Sequence, residues 1–329
     1  MLLHNQLGIF KVELPLLHRV KHVNGYALRG KDGWSLIDAG LSREASYQVW
    51  QRFFEEQAIG PADIKGIYIT HYHSDHYGCA GWLQKLSGAP VYIGAFDAVR
   101  INDYWKKGDY LLPEIDNLYN CNGMPLEARK QVLEAEAEII PYTLPHAELT
   151  VLQDRQMVTL GDYEFRVILT PGHSDGHICF YNQEQGLLFS GDHLLPDTSS
   201  IIGLSAQAGA RPDPLADFLH SLESLRSLDC KLILPAHGKS FPSLAKRISR
   251  LESYHSKHLA AIRNCLGRGA AAYEVCRQIY GPDLSGNELR FAMAEILAHL
   301  VYLLHKGELE IACPEGICRY RNRVEDKQG

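Results

Sequence analysis

Residues 69–78 read ITHYHSDHYG, and four side chains in that stretch can bind a cation or move a proton: His71, His73, Asp75 and His76. His71, His73 and Asp75 alternate with period two, so in extended chain they project to one side and His76 to the other. Such a segment can serve two adjacent cations. The i,i+4 spacing of a helical H-E-x-x-H zinc motif is absent. A single histidine-rich loop would be read as a hydrated surface turn, but the pattern recurs. TPGHSDGH places His173 just past the apolar run FRVILT, LFSGDH places Asp192 just past GLLF, and LILPAHG places His237 just past KLIL. Each apolar run reads as a strand and closes on His or Asp beside Gly, as loops gathered at one end of packed sheets would.

Seven donors suit two cations that share one carboxylate. His71, His73 and His173 would hold the first, Asp75, His76 and His237 the second, with Asp192 between them. Imidazole and carboxylate without thiolate favour zinc, with iron or manganese next. Two such divalent ions sit about 3.5 Å apart with a hydroxide between them.

The elements that must position these residues come in two β-rich blocks. The first runs IFKVELPL, NGYALRG, WSLIDAG and IKGIYIT, with a helix over 43–57 and a second helix closed by Gly88 before VYIG. The second runs LTVLQDR, MVTLGDYEFRVILT, HICFYNQEQGLLFSG and, after a helix, KLILPAHG. Two packed sheets flanked by helices, an α+β arrangement, follow from that order. Residues 96–148 are too long for a plain loop and read as a helical insertion or lid over the site. Its aromatics Tyr104, Trp105 and Tyr110, with Tyr142 and His146 near its end and His193 beside Asp192, are the candidates to line a substrate pocket; Tyr119 is a further aromatic of the insert. From Ser243 the chain reads as three helices and two short strands around Pro-Glu-Gly, the order of a winged helix. The expected division is a catalytic domain over 1–242 and a winged-helix-like domain over 243–329.

Composition narrows the partners. The chain has 329 residues with a formal charge of −6; residues 245–329 carry 13 Lys/Arg against 10 Asp/Glu, and residues 1–244 carry 20 against 29. No Lys/Arg stripe tracks a phosphate backbone, so a small-molecule substrate is expected rather than nucleic acid. The tail reads as a packing or dimerisation module, which admits a homodimer. Neither a basic, cleavable leader nor a membrane-length apolar run is present, so a cytoplasmic protein with no membrane role is expected. Its eight cysteines should then be reduced, Cys313 and Cys318 being the one close pair. His18, His22, His255 and His258 read as surface residues.

The series H-x-H-x-D-H, a lone His, an Asp and a last His after successive strands resembles the metallo-β-lactamase superfamily, with the ligand set of glyoxalase II-like members, over about residues 8–242. The resemblance implies a four-layer αββα sandwich with the binuclear site at one edge of the sheets. It implies a hydrolase (EC 3) in which the bridging hydroxide attacks an ester, thioester or lactone while Asp75 orients it. Asp38, in SLIDAG, matches a position that supports a metal-binding histidine in this family. Cysteine stands at the Asp192 position in the β-lactamases of this fold, which argues against antibiotic hydrolysis. A phosphodiesterase or nuclease, and a non-catalytic metal-binding sensor, are the alternatives.

Overall fold

The computed structural model describes residues 2–4, 7–17, 22–206 and 213–323; His18 lies outside them, as do the side chains of 2–4, 109 and 110. The first β-rich block forms a seven-stranded sheet whose spatial order follows the chain: β1 (Leu2–His4), β2 (Ile9–Pro15), β3 (His22–Gly30), β4 (Gly33–Ile37), β5 (Ile64–Ile69), β6 (Val91–Gly94) and β7 (Leu149–Leu152). Strands β2 to β4 pair antiparallel, and β4 to β7 pair parallel. Parallel neighbours need crossovers. These are α1 (Glu44–Glu56) before β5, α2 (Ser74–Tyr77) and α3 (Ala80–Ser87) before β6, and the insert that starts with α4 (Ala95–Arg100) before β7.

The second block forms a five-stranded sheet in the order β12 (Leu232–Pro235), β11 (Leu187–Gly191), β10 (Ile178–Asn182), β9 (Tyr163–Leu169), β8 (Met157–Leu160). Strand β10 is antiparallel to both β9 and β11, while β11 and β12 are parallel, so β9, β11 and β12 all end at the same edge. For the same reason β4, β5 and β6 end together. Those six ends carry Asp38, the seven expected donors and the start of the insert.

Aromatics fill the space between the sheets: Tyr26 meets Phe189 at 5.0 Å between ring centres, and Tyr68 meets Phe180 at 5.9 Å. On the outer face of the first sheet, Trp50, Phe53 and Phe54 of α1 pack on Phe10 and Trp34. Strands β10 and β11 are buried along their whole length, as a sheet covered on both faces requires. The αββα sandwich expected from the resemblance is the fold.

The chain divides into two compact units. One is Met1–Lys107, Ile139–Ser200 and Ser221–Arg247; the other is Gly108–Glu138, Ile201–His220 and Ile248–Gly329. This differs from the single cut after residue 242, because the middle of the 96–148 insert packs with the tail rather than standing apart as a lid. Helices α5 (Leu112–Cys121) and α6 (Leu126–Ala137) belong to the second unit, as do the first part of α7 (Pro214–Leu225), most of α8 (Leu244–Cys265), α9 (Ala272–Tyr280), α10 (Gly286–His305) and the hairpin β13 (Leu309–Ala312) and β14 (Arg319–Asn322). Three helices and a hairpin match the expected order of elements. Glu136 of α6 pairs with Arg290 of α10 at 2.9 Å, and Asn122 accepts from the Tyr320 hydroxyl at 2.8 Å. Tyr119 is buried in this unit.

Two further expectations are corrected. Cys313 and Cys318 form a disulfide, because Ala312 and Arg319 are paired across the hairpin and the next residues face each other with Cα atoms 3.9 Å apart. His255 is fully buried and His258 half-buried, since α8 turns that face toward α10.

Trp50 is 0% exposed and its indole N–H donates to the Ala39 carbonyl at 2.8 Å, tying α1 to the residue after Asp38. Trp50→Ala should lower stability by about 3–5 kcal/mol, read from the midpoint shift in urea unfolding; a loss under about 1 kcal/mol would refute this packing role.

Candidate metal centre

Past β5 the chain does not stay extended. His76 N–H and Tyr77 N–H both donate to the His73 carbonyl, at 3.0 and 2.9 Å, so Ser74–Tyr77 coil into α2. This corrects the period-two geometry. A helical turn, not pleat alternation, separates Asp75 and His76 from His71 and His73. Gly78 is obligatory behind it, because an added Cβ would lie 2.4 Å from the Tyr142 carbonyl and 2.6 Å from that of Gly40.

Two donor sets result. In the first, His71 Nε2, His73 Nδ1 and His173 Nε2 form a triangle with sides of 2.9, 2.9 and 3.2 Å. In the second, Asp75 Oδ2 lies 3.6 Å from His76 Nε2 and 3.4 Å from His237 Nε2. Asp192 stands between the sets. Its Oδ2 is 3.5 Å from His173 Nε2, and its Oδ1 is 3.5 Å from both His76 Nε2 and His237 Nε2.

Hydrogen bonds on the far side of each ring decide which nitrogen faces inward. Asp38 Oδ2 lies 2.8 Å from His76 Nδ1, Thr70 Oγ1 3.0 Å from His71 Nδ1, Ser200 Oγ 2.8 Å from His173 Nδ1, and the His22 carbonyl 3.3 Å from His237 Nδ1. Each arrangement places the N–H outward and leaves the Nε2 lone pair toward the centre. Asp38 also accepts from the Thr70 N–H at 2.8 Å and from its hydroxyl at 2.9 Å, so one buried carboxylate orients His76 directly and His71 through Thr70.

The donors fit divalent cations. Three imidazole nitrogens about 3 Å apart with converging lone pairs repel unless positive charge lies among them. Burial, then the neighbouring His76 and His173 respectively, hold His71 and His73 well below the usual histidine range, keeping both rings neutral. Burial works the same way on His76 and His237, but carboxylates outweigh it: Asp75 raises His76, and Asp192 with Asp75 pushes His237 up to about 9. The second set therefore demands positive charge. His76 Nε2 and Asp192 Oδ1 are buried without a hydrogen-bond partner, as ligand atoms of a cation would be.

Family models match residues 18–237 as "Metallo-beta-lactamase superfamily" and residues 259–323 as "Metallo-beta-lactamase-like, C-terminal domain". The chain belongs to the metallo-beta-lactamase superfamily. It is 27% identical over 305 residues to a "Probable metallo-hydrolase YqjP" of Bacillus subtilis, covering 89% of this chain and 91% of that protein. An "Atrochrysone carboxyl ACP thioesterase" of Pseudocercospora fijiensis is 28% identical over 265 residues, which span 78% of this chain and 62% of that protein. A metallo-beta-lactamase family protein from Thermus thermophilus superposes with a TM-score of 0.85 at 30% identity, covering 96% of this chain and 99% of its own.

In this superfamily member the segments after β5, β9, β11 and β12 bring all seven expected donors together. The expected substrate-lining residues divide. Trp105 is buried, its indole N–H donating to the Tyr72 carbonyl at 2.7 Å, so it braces the His71–His76 loop from behind instead of forming a wall. His193 is fully buried beside His177 and is likewise not an accessible wall. Tyr104 is half-buried, 6.2 Å from the Tyr72 ring, and Tyr142 is half-buried with its carbonyl accepting from Ser42 N–H. The side chain of Tyr110 lies outside the described residues. His146 stacks on Tyr77 at 6.2 Å.

Two groups, Tyr72 and Asp97, escaped the sequence reading, while His177, near the ligands in sequence and read as a structural histidine, is held in buried hydrogen bonds. Tyr72 lies inside the motif, its ring 4.6 Å from His73. His177 accepts from the Asp192 N–H at 3.2 Å; an added Cβ at Gly191 would lie 2.6 Å from its Nε2, so glycine is required there. Asp97, fully buried at the start of α4, accepts from Tyr72 N–H at 2.9 Å, the Ser174 hydroxyl at 2.7 Å and Gly176 N–H at 2.7 Å. It clamps the His73 loop to the His173 loop, and Arg100 pairs with Asp175 beside it (Nε–Oδ2 3.0 Å). The available signal was the same one that found the others, an acidic residue just past a strand end.

Asp97→Ala should leave the chain folded by circular dichroism while lowering bound metal and kcat/KM about 10–100-fold. Unchanged metal content at limiting free zinc would refute the clamp.

Proposed function

We propose that the chain is a binuclear metal-dependent hydrolase acting on a thioester or a related ester or lactone. The division of seven donors into two sets, with the two oxygens of Asp192 turned one to each, is the observation that carries this reading. His71, His73 and His173 would hold one ion, Asp75, His76 and His237 the other, and Asp192 both, zinc being favoured and iron or manganese tolerated by the donor types. Divalent cations in these positions supply Lewis-acid polarisation of a substrate oxygen and water acidified toward neutral pH.

The chain's own groups do the rest. Asp75 is held ionised, since His76 and His237 outweigh the effect of burial, and its carboxylate orients the attacking water. Tyr72 and Tyr104 offer an aromatic surface beside His73 for the acyl portion. Water adds its oxygen to the carbonyl carbon, the bond to sulfur or alkoxide oxygen breaks, and the leaving group takes the proton. Asp38, Thr70, Ser200 and Asp97 keep the loops from relaxing as charge moves. Asp192 in place of cysteine argues against antibiotic hydrolysis, the thioesterase name of one relative supports acyl transfer to water, and the acidic first 244 residues disfavour polyanions.

Elemental analysis of the purified chain should give close to two metal ions in this centre, and His73→Ala or Asp192→Ala should reduce turnover below detection with the fold intact. Activity retained in both variants would overturn the mechanism. Removing metal with a chelator should abolish activity, and zinc should restore it. A parallel screen of an acyl-CoA, p-nitrophenyl acetate, a lactone and bis-p-nitrophenyl phosphate should give turnover on the acyl substrates; turnover confined to the phosphodiester would overturn the substrate class.

A further inference from the structure

The second unit contains a cluster of chemistry-bearing side chains that the centre above does not use. Helix α8 carries His255 and His258 at i,i+3, and α10 carries Glu295 and His299 at i,i+4, spacings that put each pair on one helix face. The faces meet: the rings of His258 and His299 are 4.7 Å apart, and one ligand atom each from His258, Glu295 and His299 lie within 4.8 Å of one another. We propose that His258, Glu295 and His299 form a third cation site, which binds a divalent transition ion such as zinc and staples α8 to α10.

Burial and pairing both point to a cation. Glu295 is 8% exposed and His299 fully buried, while His258 at half-burial leaves an approach for the ion. A buried carboxylate stays ionised only where a cation or hydrogen bonds compensate its lost hydration. Burial raises the Glu295 carboxyl, and the Tyr280 hydroxyl, donating to Oε2 at 2.7 Å, opposes the shift. His299 Nδ1 donates to the Glu295 carbonyl at 2.7 Å, the outward N–H bond by which a ligand histidine is oriented, and this leaves the Nε2 lone pair.

The competing arrangement is a closed hydrogen-bond network. His255 Nδ1 lies 3.1 Å from His299 Nε2, and the Tyr280 hydroxyl lies 3.3 Å from His258 Nε2. An ion would take the place of both contacts. Tetrahedral zinc with bonds of 2.0–2.1 Å keeps its ligand atoms about 3.4 Å apart, so the three donors close in by small side-chain rotations, and water or Tyr280 completes the set. Two nitrogens and a carboxylate oxygen suit zinc over calcium or magnesium.

The test is zinc stoichiometry of the full-length chain at micromolar free zinc, by elemental analysis after gel filtration. The chain carrying His73→Ala, Asp192→Ala and His237→Ala, which breaks both donor sets of the main centre, should retain one equivalent, and adding Glu295→Gln or His258→Asn should remove it. Glu295→Gln preserves shape and the acceptor for Tyr280, and His258 is only half-buried, so at least one variant keeps the fold by circular dichroism. In the otherwise unaltered chain the same two variants should lose one equivalent and retain hydrolytic activity, and zinc should raise Tm in the His73→Ala/Asp192→Ala/His237→Ala chain only when Glu295 is present. Equal zinc in chains with and without Glu295→Gln, or only two equivalents in the unaltered chain at saturation, would overturn the site and leave the cluster as a hydrogen-bonded network. Neither result bears on the seven-donor centre.

Discussion

Three imidazoles with converging lone pairs about 3 Å apart, and two carboxylates turned toward one centre, each repel their own kind, and only a rigid surround can hold them ready for cations. The arrangement depends most on Asp38. This carboxylate, at the end of β4 and 2% exposed, takes hydrogen bonds from the backbone and hydroxyl of Thr70 and faces His76 Nδ1. Its backbone has φ +57°, which an aspartate tolerates better than most residues. The next residue, Ala39, is held on one side by Trp50 and on the other by donating to the His76 carbonyl at 2.7 Å. The packing of α1 on the first sheet is thus transmitted in two steps to the orientation of the His76 ring.

The two sheets must also meet in register. Ile178 N–H donates to the Thr70 carbonyl at 2.9 Å, joining the start of β10 to the end of β5. Asn24 of β3 donates to the carbonyls of Pro235 and Gly238, both at 2.9 Å, and Tyr26 donates to Pro235 at 2.7 Å, which hold the His237 loop against the first sheet. Asp97 supplies the third crossing. A centre whose ligands come from both sheets is stable only if such crossings exist, because each loop alone would satisfy its polar groups with water.

The strand ends, the helix of 44–56, the Gly88 stop of α3 and the order of the tail elements were all legible, since each rests on local periodicity or on a turn residue. Gly88 has φ +72° at the helix end, as its position predicted. The roles of Trp105 and His193 were not legible: an aromatic beside a ligand loop can face solvent or core, and only packing decides. His255 and His258 were mistaken for surface residues because α8 is polar over much of its length. The insert misled for a related reason. Val132 and Ala135 of α6 find their buried partners in the tail, about 150 residues away, a pairing that no local pattern records.

Residue type and strand-end spacing alone singled out seven candidate donors, none of them a thiolate, on loops expected at one edge of a two-sheet fold. These follow from chemistry and from the alternation that any strand imposes. The tertiary structure decided which nitrogen of each histidine faces the centre, how Asp192 divides its oxygens, that Asp97 clamps two loops, and that the middle of the insert belongs to the second unit. Such features depend on hydrogen bonds and burial between segments remote in the chain, and these come into being only when the sheets are packed.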